Sequence, residues 1–283
     1  MKMVDLTAWA GKEDVSQGHV GGTMAAMLAA TFNHAEAPGT GAVLPLLWHW
    51  CAFLPTVPMY ALAMDGHPAL GGFLPPVPLE RRMWAAGELT FIKPLHVGEA
   101  LTRHSRIEAV TEKSGATGDM VFVTVSHEIA GEEGLAIRET QDIVYLAIPD
   151  SFTPPAKRDL PEGAAVGAEV PVNEALLFRY SACTFNAHRI HIDLPYAQQV
   201  EHYPGLVVHG PLQATKLIEA AALAAGRAPD HFKFRCVHPL FHDEGLHLRG
   251  AWDAENARQM RLWAGSGAGH QTMQAHATWE DNQ

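Results

Sequence analysis

Between Tyr180 and Gln213 the chain concentrates side chains able to move protons: Asn186, His188, Arg189, His191, Asp193, His202 and His209. His188-Arg189-Ile190-His191-Ile192-Asp193 sets two imidazoles three residues apart, with a carboxylate two residues on. Imidazole titrates near neutral pH, so His191 is a candidate general acid/base. Asn186 is close enough in sequence to hold a water or a substrate oxygen. A metal centre built from His188, His191 and Asp193 is the competing chemistry. It completes no established zinc spacing, since the glutamate of H-E-x-x-H is missing, so no metal and no other cofactor are expected. The bland alternative is a polar loop whose histidines cap local backbone. The density of such groups beside a helix entrance favours function.

That entrance is His209-Gly210-Pro211. Glycine lets a ligand approach the backbone closely, and proline suits the first helical turn. The free amides and positive dipole end there can stabilise an oxyanion, such as a thioester oxygen whose α-carbon is gaining charge. An ordinary helix start has the same spacing. The helix that follows, LQATKLIEAAALAAG, carries small residues suited to burial inside a curved sheet.

The elements that must position these groups read as two similar series. Residues 1 to 34 look helical, with Gly21–Asn33 rich in Ala and Met. Leu44–Leu54 (LPLLWHWCAFL) is apolar and long enough for a buried helix. Met64–Pro78 holds so many Gly and Pro that it must be a loop, and a loop this long reads as a lid or binding wall. From Arg81, four β-branched, partly alternating runs separated by turns imply an antiparallel meander; Val121, Val123 and Val125 share one face. Residues 149–168 are proline- and glycine-rich and read as a linker. A strand (Val170–Tyr180), the histidine-rich stretch, a helix over Pro211–Ala225 and four more strands follow.

The two series share a signature. Pro94-Leu95-x-x-x-Glu99-x-Leu101 matches Pro239-Leu240-x-x-x-Glu244-x-Leu246, an offset of 145 residues. Joined to the same order of elements, this predicts a duplicated α+β unit, each half a helix wrapped by an antiparallel sheet: a double hot dog. The expected division is 1–148 for the first half, with its candidate lid, a linker over 149–168, and 169–283 for the half that carries the histidine-rich stretch.

Composition narrows the classes. The chain has 283 residues, 20 Lys+Arg against 31 Asp+Glu, and a formal charge of −11, which argues against a nucleic-acid footprint but leaves room for an anionic small ligand. No apolar run is long enough to span a membrane. Acidic residues stand where a secretory signal has its apolar core, so a cytoplasmic protein is expected. Cys51, Cys183 and Cys236 have no metal-like spacing and read as free thiols of a reducing compartment.

The run Thr184–Asp193 resembles the S-G-D-x-N-P-L-H-x-D motif of MaoC-like (R)-specific enoyl-CoA hydratases, and Gly205–Gly210 resembles their apolar run into the helix. With GGFLPPVPLERRMWAAGELTF and VFVTVSHEIAG, the chain is similar to the subgroup of hydroxyacyl-thioester dehydratases type 2 and mesaconyl-C4-CoA hydratases. The resemblance implies that His191 is the catalytic histidine and Gly210 the oxyanion-hole glycine. It aligns Asn186 with the catalytic aspartate, His188 with the motif asparagine and Arg189 with the motif proline. An amide cannot act as a base, so His191 is expected to shuttle the proton alone while Asn186 and His188 position the water, unless Asp193 supplies the carboxylate. His209 is expected at the substrate. Arg189 is a candidate partner for a distal carboxylate, and Arg81 and Arg82 for the phosphates of coenzyme A. Trp84 and Phe73 are candidate tunnel walls. The implied activity is reversible addition of water to an enoyl-CoA, with mesaconyl-C4-CoA going to citramalyl-CoA as the first choice of substrate. Fatty-acid 3-hydroxyacyl-thioester dehydration, a hot-dog thioesterase and a non-catalytic acyl-CoA binder are the rivals. A homodimer is expected by analogy with other hot-dog sheets, and no partner other than the acyl-CoA.

Overall fold

The computed structural model describes residues 5–115 and 118–281. Ten strands form one antiparallel sheet: β1 (Glu13–Gly18), β2 (Arg81–Phe91), β3 (Leu101–Gly115), β4 (Gly118–Gly131), β5 (Gly134–Leu146), β6 (Val166–Val170), β7 (His231–Cys236), β8 (Leu246–Trp252), β9 (Gln259–Ser266) and β10 (Gln271–Thr278). Their order is β1-β3-β4-β5-β2-β7-β10-β9-β8-β6, so the second half repeats the first in mirror order about the β2–β7 seam. The helices are α1 (Gly22–Phe32), α2 (Glu174–Thr184), α3 (Leu194–Gln199) and α4 (Gly210–Ala225). This is the expected double hot dog. No helix among the described residues is long and apolar enough to cross a membrane.

The seam confirms the repeat at single-residue precision. Glu88 and Lys233, separated by the 145-residue offset, face each other in the β2–β7 register and form an ion pair at 2.7 Å. Glu99 accepts a hydrogen bond from His96 N at 2.6 Å, and its repeat mate Glu244 accepts from Phe241 N at 3.0 Å. Each of those segments also bridges the chain entering its half's centre, Val43 to His96 and Val207 to Phe241.

Several expectations are corrected. The first 34 residues are not one helical stretch: Leu6–Trp9 is a 3-10 turn, β1 follows, and only α1 is helical; residues 1–4 lie outside the described chain. Val170–Tyr180 is not a strand, because Asn173 caps α2 through its side chain, accepting from Leu176 N at 2.9 Å. β2 pairs with β5 and not with β3, so the meander covers only β3–β5. β6 begins at Val166, inside the stretch read as linker, and Asp159 already bridges His270 of the second half.

The largest correction concerns Leu44–Leu54. Only Trp48–Cys51 is helical, as one 3-10 turn, entered through Leu47 at φ 68°. Two tryptophans between Pro45 and Pro55 favour no regular helix, whereas α4 has six alanines in its 16 residues and closes on Gly226 at φ 70°. The α4 face of Leu212, Ala214, Leu217, Ile218 and Ala221 is fully buried against the second half of the sheet. Each of its large apolar side chains is worth roughly 1.5–3 kcal/mol there. Among the described residues the first half has no such helix, and part of the space is open.

Candidate active site

A cavity of about 1170 Å³ runs between the halves, walled by Phe73, Trp84 and Trp50 from one and by His191, Gly210 and Phe178 from the other. The expected walls Trp84 and Phe73 therefore face it, as does the Gly/Pro loop that carries Phe73.

α2 ends at Phe185 in the left-handed region, φ 49°, which turns the chain sharply before the motif. Asn186 Oδ1 then accepts from His188 N at 3.0 Å and closes a local turn. A 3-10 turn, Arg189–His191, carries His191 inward. Its Nδ1 lies 2.7 Å from Val207 O. A carbonyl only accepts, so Nδ1 carries the proton and Nε2 keeps its lone pair. His209 stacks on His191, with ring centroids 3.6 Å apart and planes at 20°, and meets Ser181 Oγ through Nε2 at 2.9 Å. Burial, with His209 and His188 nearby, holds His191 well below the usual histidine range. Burial likewise pushes His209 down to about 3. Both rings are neutral at neutral pH.

Gly210 begins α4 directly after His209. Pro211 has no N–H and Gln213 N donates to His209 O at 3.2 Å, so Gly210 and Leu212 carry the first-turn amides without an acceptor in the helix, and Gly210 lines the cavity at the positive end of the dipole. A Cβ at Gly210 would sit 3.1 Å from Cys236 Sγ, narrowing that approach.

The structure brings His191, His209, His188, Asn186 and Gly210 to one cavity wall. It does not bring Arg189 and Asp193 there. Arg189 binds Asp193 through Nε at 3.0 Å and Nη2 at 2.8 Å, donates to Met64 O at 3.2 Å and stacks over Tyr196 at 4.1 Å. Asp193 also caps α3, accepting from Tyr196 N at 3.0 Å. Both charges are thereby committed to each other, and the metal set His188–His191–Asp193 is not assembled. A different group comes together: ligand atoms of Asp65, His67 and His188 lie within 4.8 Å of one another. The Asp65 carboxylate there already holds His67 Nδ1 at 2.7 Å.

Three participants escaped the sequence reading. His67 and Asp65 enter from the first half, and the His67 ring packs 4.1 Å from that of His188. Glu201 lies 3.5 Å from His188 Nε2 and is gripped by Arg81, through Nε at 3.2 Å and through its backbone oxygen at 2.7 Å. Arg81 is thus a partner of a buried carboxylate. The triplet Asp65-Gly66-His67, a carboxylate and an imidazole around a glycine within a long loop, was the available signal; Glu201 offered none.

The chain is similar to known proteins in sequence and in fold. Residues 47–242 match the family model for hydroxyacyl-thioester dehydratase type 2. The mesaconyl-C(4)-CoA hydratase of Chloroflexus aurantiacus is 44% identical over 243 residues, 85% of this chain and 87% of that protein. Among solved structures, HtdX of Mycobacterium tuberculosis superposes with a TM-score of 0.65 at 18% identity, over 93% of this chain and 98% of that one. A second Mycobacterium tuberculosis protein, described as having a double hotdog fold, gives a TM-score of 0.57 at 12% identity over 95% and 96% of the two chains. With most of its length matched by the family model and by a relative 44% identical, the chain belongs to the hydroxyacyl-thioester dehydratase type 2 family.

Proposed function

We propose that this protein adds water reversibly to the double bond of an enoyl-CoA, and that mesaconyl-C4-CoA, giving citramalyl-CoA, is its substrate. The observation that carries the reading is the pairing of a neutral, cavity-facing His191 Nε2 with the N-terminus of α4 at Gly210. Water attacks the β-carbon as His191 Nε2 takes one of its protons. Electron density moves to the thioester oxygen, which the α4 amides hold. His191 then delivers that proton to the α-carbon, and the same steps in reverse are dehydration. The likeness to the Chloroflexus hydratase supports the choice of acyl group.

A second carboxylate on the substrate needs a cation. Arg189 is engaged outside the cavity wall and Arg81 is bound to Glu201. Arg82 lines the cavity, and among the described residues no carboxylate lies within ion-pair distance of it. Arg82 is therefore the better candidate for the distal carboxylate. The test is a panel of mesaconyl-C4-CoA and uncharged enoyl-CoA esters, followed by mass spectrometry for the gain of one water. Release of free CoA without loss of the enoyl absorbance would favour a thioesterase instead. Arg82→Met should raise the KM for mesaconyl-C4-CoA about tenfold or more and leave that for crotonyl-CoA unchanged, the loss expected of a charge-assisted contact.

A further inference from the structure

The catalytic half lacks one group that its own motif calls for. Asn186 occupies the acidic position, and its Oδ1 is spent on His188 N. Asp193, the nearest carboxylate in sequence, is committed to Arg189 and α3. Neither side chain therefore serves as the second acceptor of a water bound beside His191.

The first half offers one. Its Met64–Pro78 loop is docked directly on the motif backbone: Arg189 N donates to Asp65 O at 2.9 Å. Gly66, at φ 90°, lies so close that a Cβ would come within 2.0 Å of Ala187 O. Only glycine permits both the backbone angle and that approach. The loop is also tied to itself, with Leu62 bridging Pro68, Ala63 N donating to His67 O at 2.7 Å and Gly66 N to Ala63 O at 3.0 Å. His67 is thereby held from both sides.

Asp65 sets the chemistry of that ring. Its Oδ2 accepts from His67 Nδ1 at 2.7 Å and its Oδ1 from His67 N at 3.0 Å. The Nε2 lone pair is left for the cavity, which His67 lines next to His188. Burial pushes His67 down to about 3 against the opposing pull of Asp65, so the ring is neutral and can accept. Burial is the largest influence on Asp65 and opposes its ionisation, but the side-chain and backbone hydrogen bonds from His67, with the electrostatic pull of His67 and His188, together hold the carboxyl well below its usual range.

Building on the hydratase reading, we propose that His67, oriented by Asp65, is a catalytic residue that holds the attacking water from the side of the first half. Its Nε2 accepts one O–H of the water while His191 Nε2 accepts the other. As oxygen bonds to the β-carbon, the O–H directed at His191 breaks and that proton passes to the α-carbon. The remaining O–H becomes the product hydroxyl and stays hydrogen-bonded to His67. No other reactant is needed.

His67→Ala should lower kcat by about 10²-fold with KM within about threefold, and His67→Gln, which restores an acceptor, should recover roughly tenfold of the loss. Equilibrium binding gives an arm that needs no turnover. Wild type should bind the β-hydroxy product thioester roughly tenfold tighter than its deoxy analogue, and His67→Ala should lose this preference while holding the deoxy analogue as wild type does. Wild-type kcat in His67→Ala overturns the proposal. So does a fall in affinity for the deoxy analogue equal to that for the hydroxylated ligand, which would mean the loop only supports the cavity. So does a stoichiometric metal ion on Asp65, His67 and His188 that His67→Ala removes. If wild type hydrates no thioester, the hydratase reading fails on its own, and absence of the hydroxyl preference in wild type then sinks the role of His67 as well.

Discussion

The two halves share a strand order, a seam and a pair of matching glutamates, yet their centres differ in kind. In the second half, the chain passes the Val207–Phe241 bridge and enters α4, whose apolar face fills the curve of the sheet. In the first, it passes the Val43–His96 bridge, twists through Leu47 in the left-handed region and makes one 3-10 turn. Where β10 presents Ala275 to its side of the seam, β5 presents Glu139, almost wholly buried. Its carboxylate holds that turn, meeting His49 Nε2 at 3.1 Å, Trp50 Nε1 at 2.9 Å and Gln141 Nε2 at 2.7 Å. A helix buries its own polar backbone and leaves no room beside it. A short turn braced by one carboxylate leaves room, and His49, Trp50 and Phe53 line the cavity there. Under the proposed function, the second half carries His191 and the α4 entrance, and the first half makes space for the acyl group and lends His67.

Several measurements would break or sharpen this contrast. The largest effect is expected at His191: its change to Ala should cost about 10³-fold or more in kcat, because the proton-transferring group is removed. Full activity would end the hydratase mechanism. Glu139→Ala, in the other half, should act on stability and not on chemistry. Urea unfolding should show a loss of about 3 kcal/mol or more, since the buried His49 and the part-buried Trp50 and Gln141 lose their shared acceptor, with kcat changed less than about threefold. A collapse of kcat with unchanged stability would show that the division of labour is wrong.

Gly210→Ala should lower kcat by about 10²-fold, since the added carbon meets Cys236 Sγ and displaces the ligand from the helix amides. Next comes pH. His67 and His209 are held near 3 in the folded chain, well below their unfolded value. The unfolded chain therefore binds more protons below about pH 6.5, and stability should fall as pH drops from there toward 4. At pH 5 each ring contributes a loss on the order of 2 kcal/mol. Melting temperature against pH checks this, and His67→Ala should flatten the slope. The smallest effect belongs to the seam itself. Glu88 and Lys233 are more than half exposed, so a double-mutant cycle should give a coupling of about 1 kcal/mol or less.

Much of this was legible without coordinates. Binary alternation placed β3–β5 and β7–β10, and alanine content with Gly210-Pro211 placed α4, because those signals depend on residues a few positions apart. The 145-residue offset recurs at the seam, where Glu88 faces Lys233, since a twofold repeat pairs the residue on its axis with its own copy. The short motif likewise pointed to His191, His188, Asn186, His209 and Gly210 as neighbours.

What the chain could not show was which charges remain free. Arg189 and Asp193 looked available, yet four residues of separation across a turn let them satisfy each other. Glu139 and Glu201 sit in ordinary stretches of sequence, and only packing reveals that each is buried with partners 90 and 120 residues away. Whether Leu44–Leu54 became a helix was decided by tertiary contacts too, because an apolar run suits either a buried helix or a buried turn. By itself, then, the sequence determined the repeat, the sheet and the location of the histidines. Tertiary structure alone decided that a loop of one half reaches the motif of the other, since burial, charge pairing and the clearance beside Gly66 arise only when distant segments share space.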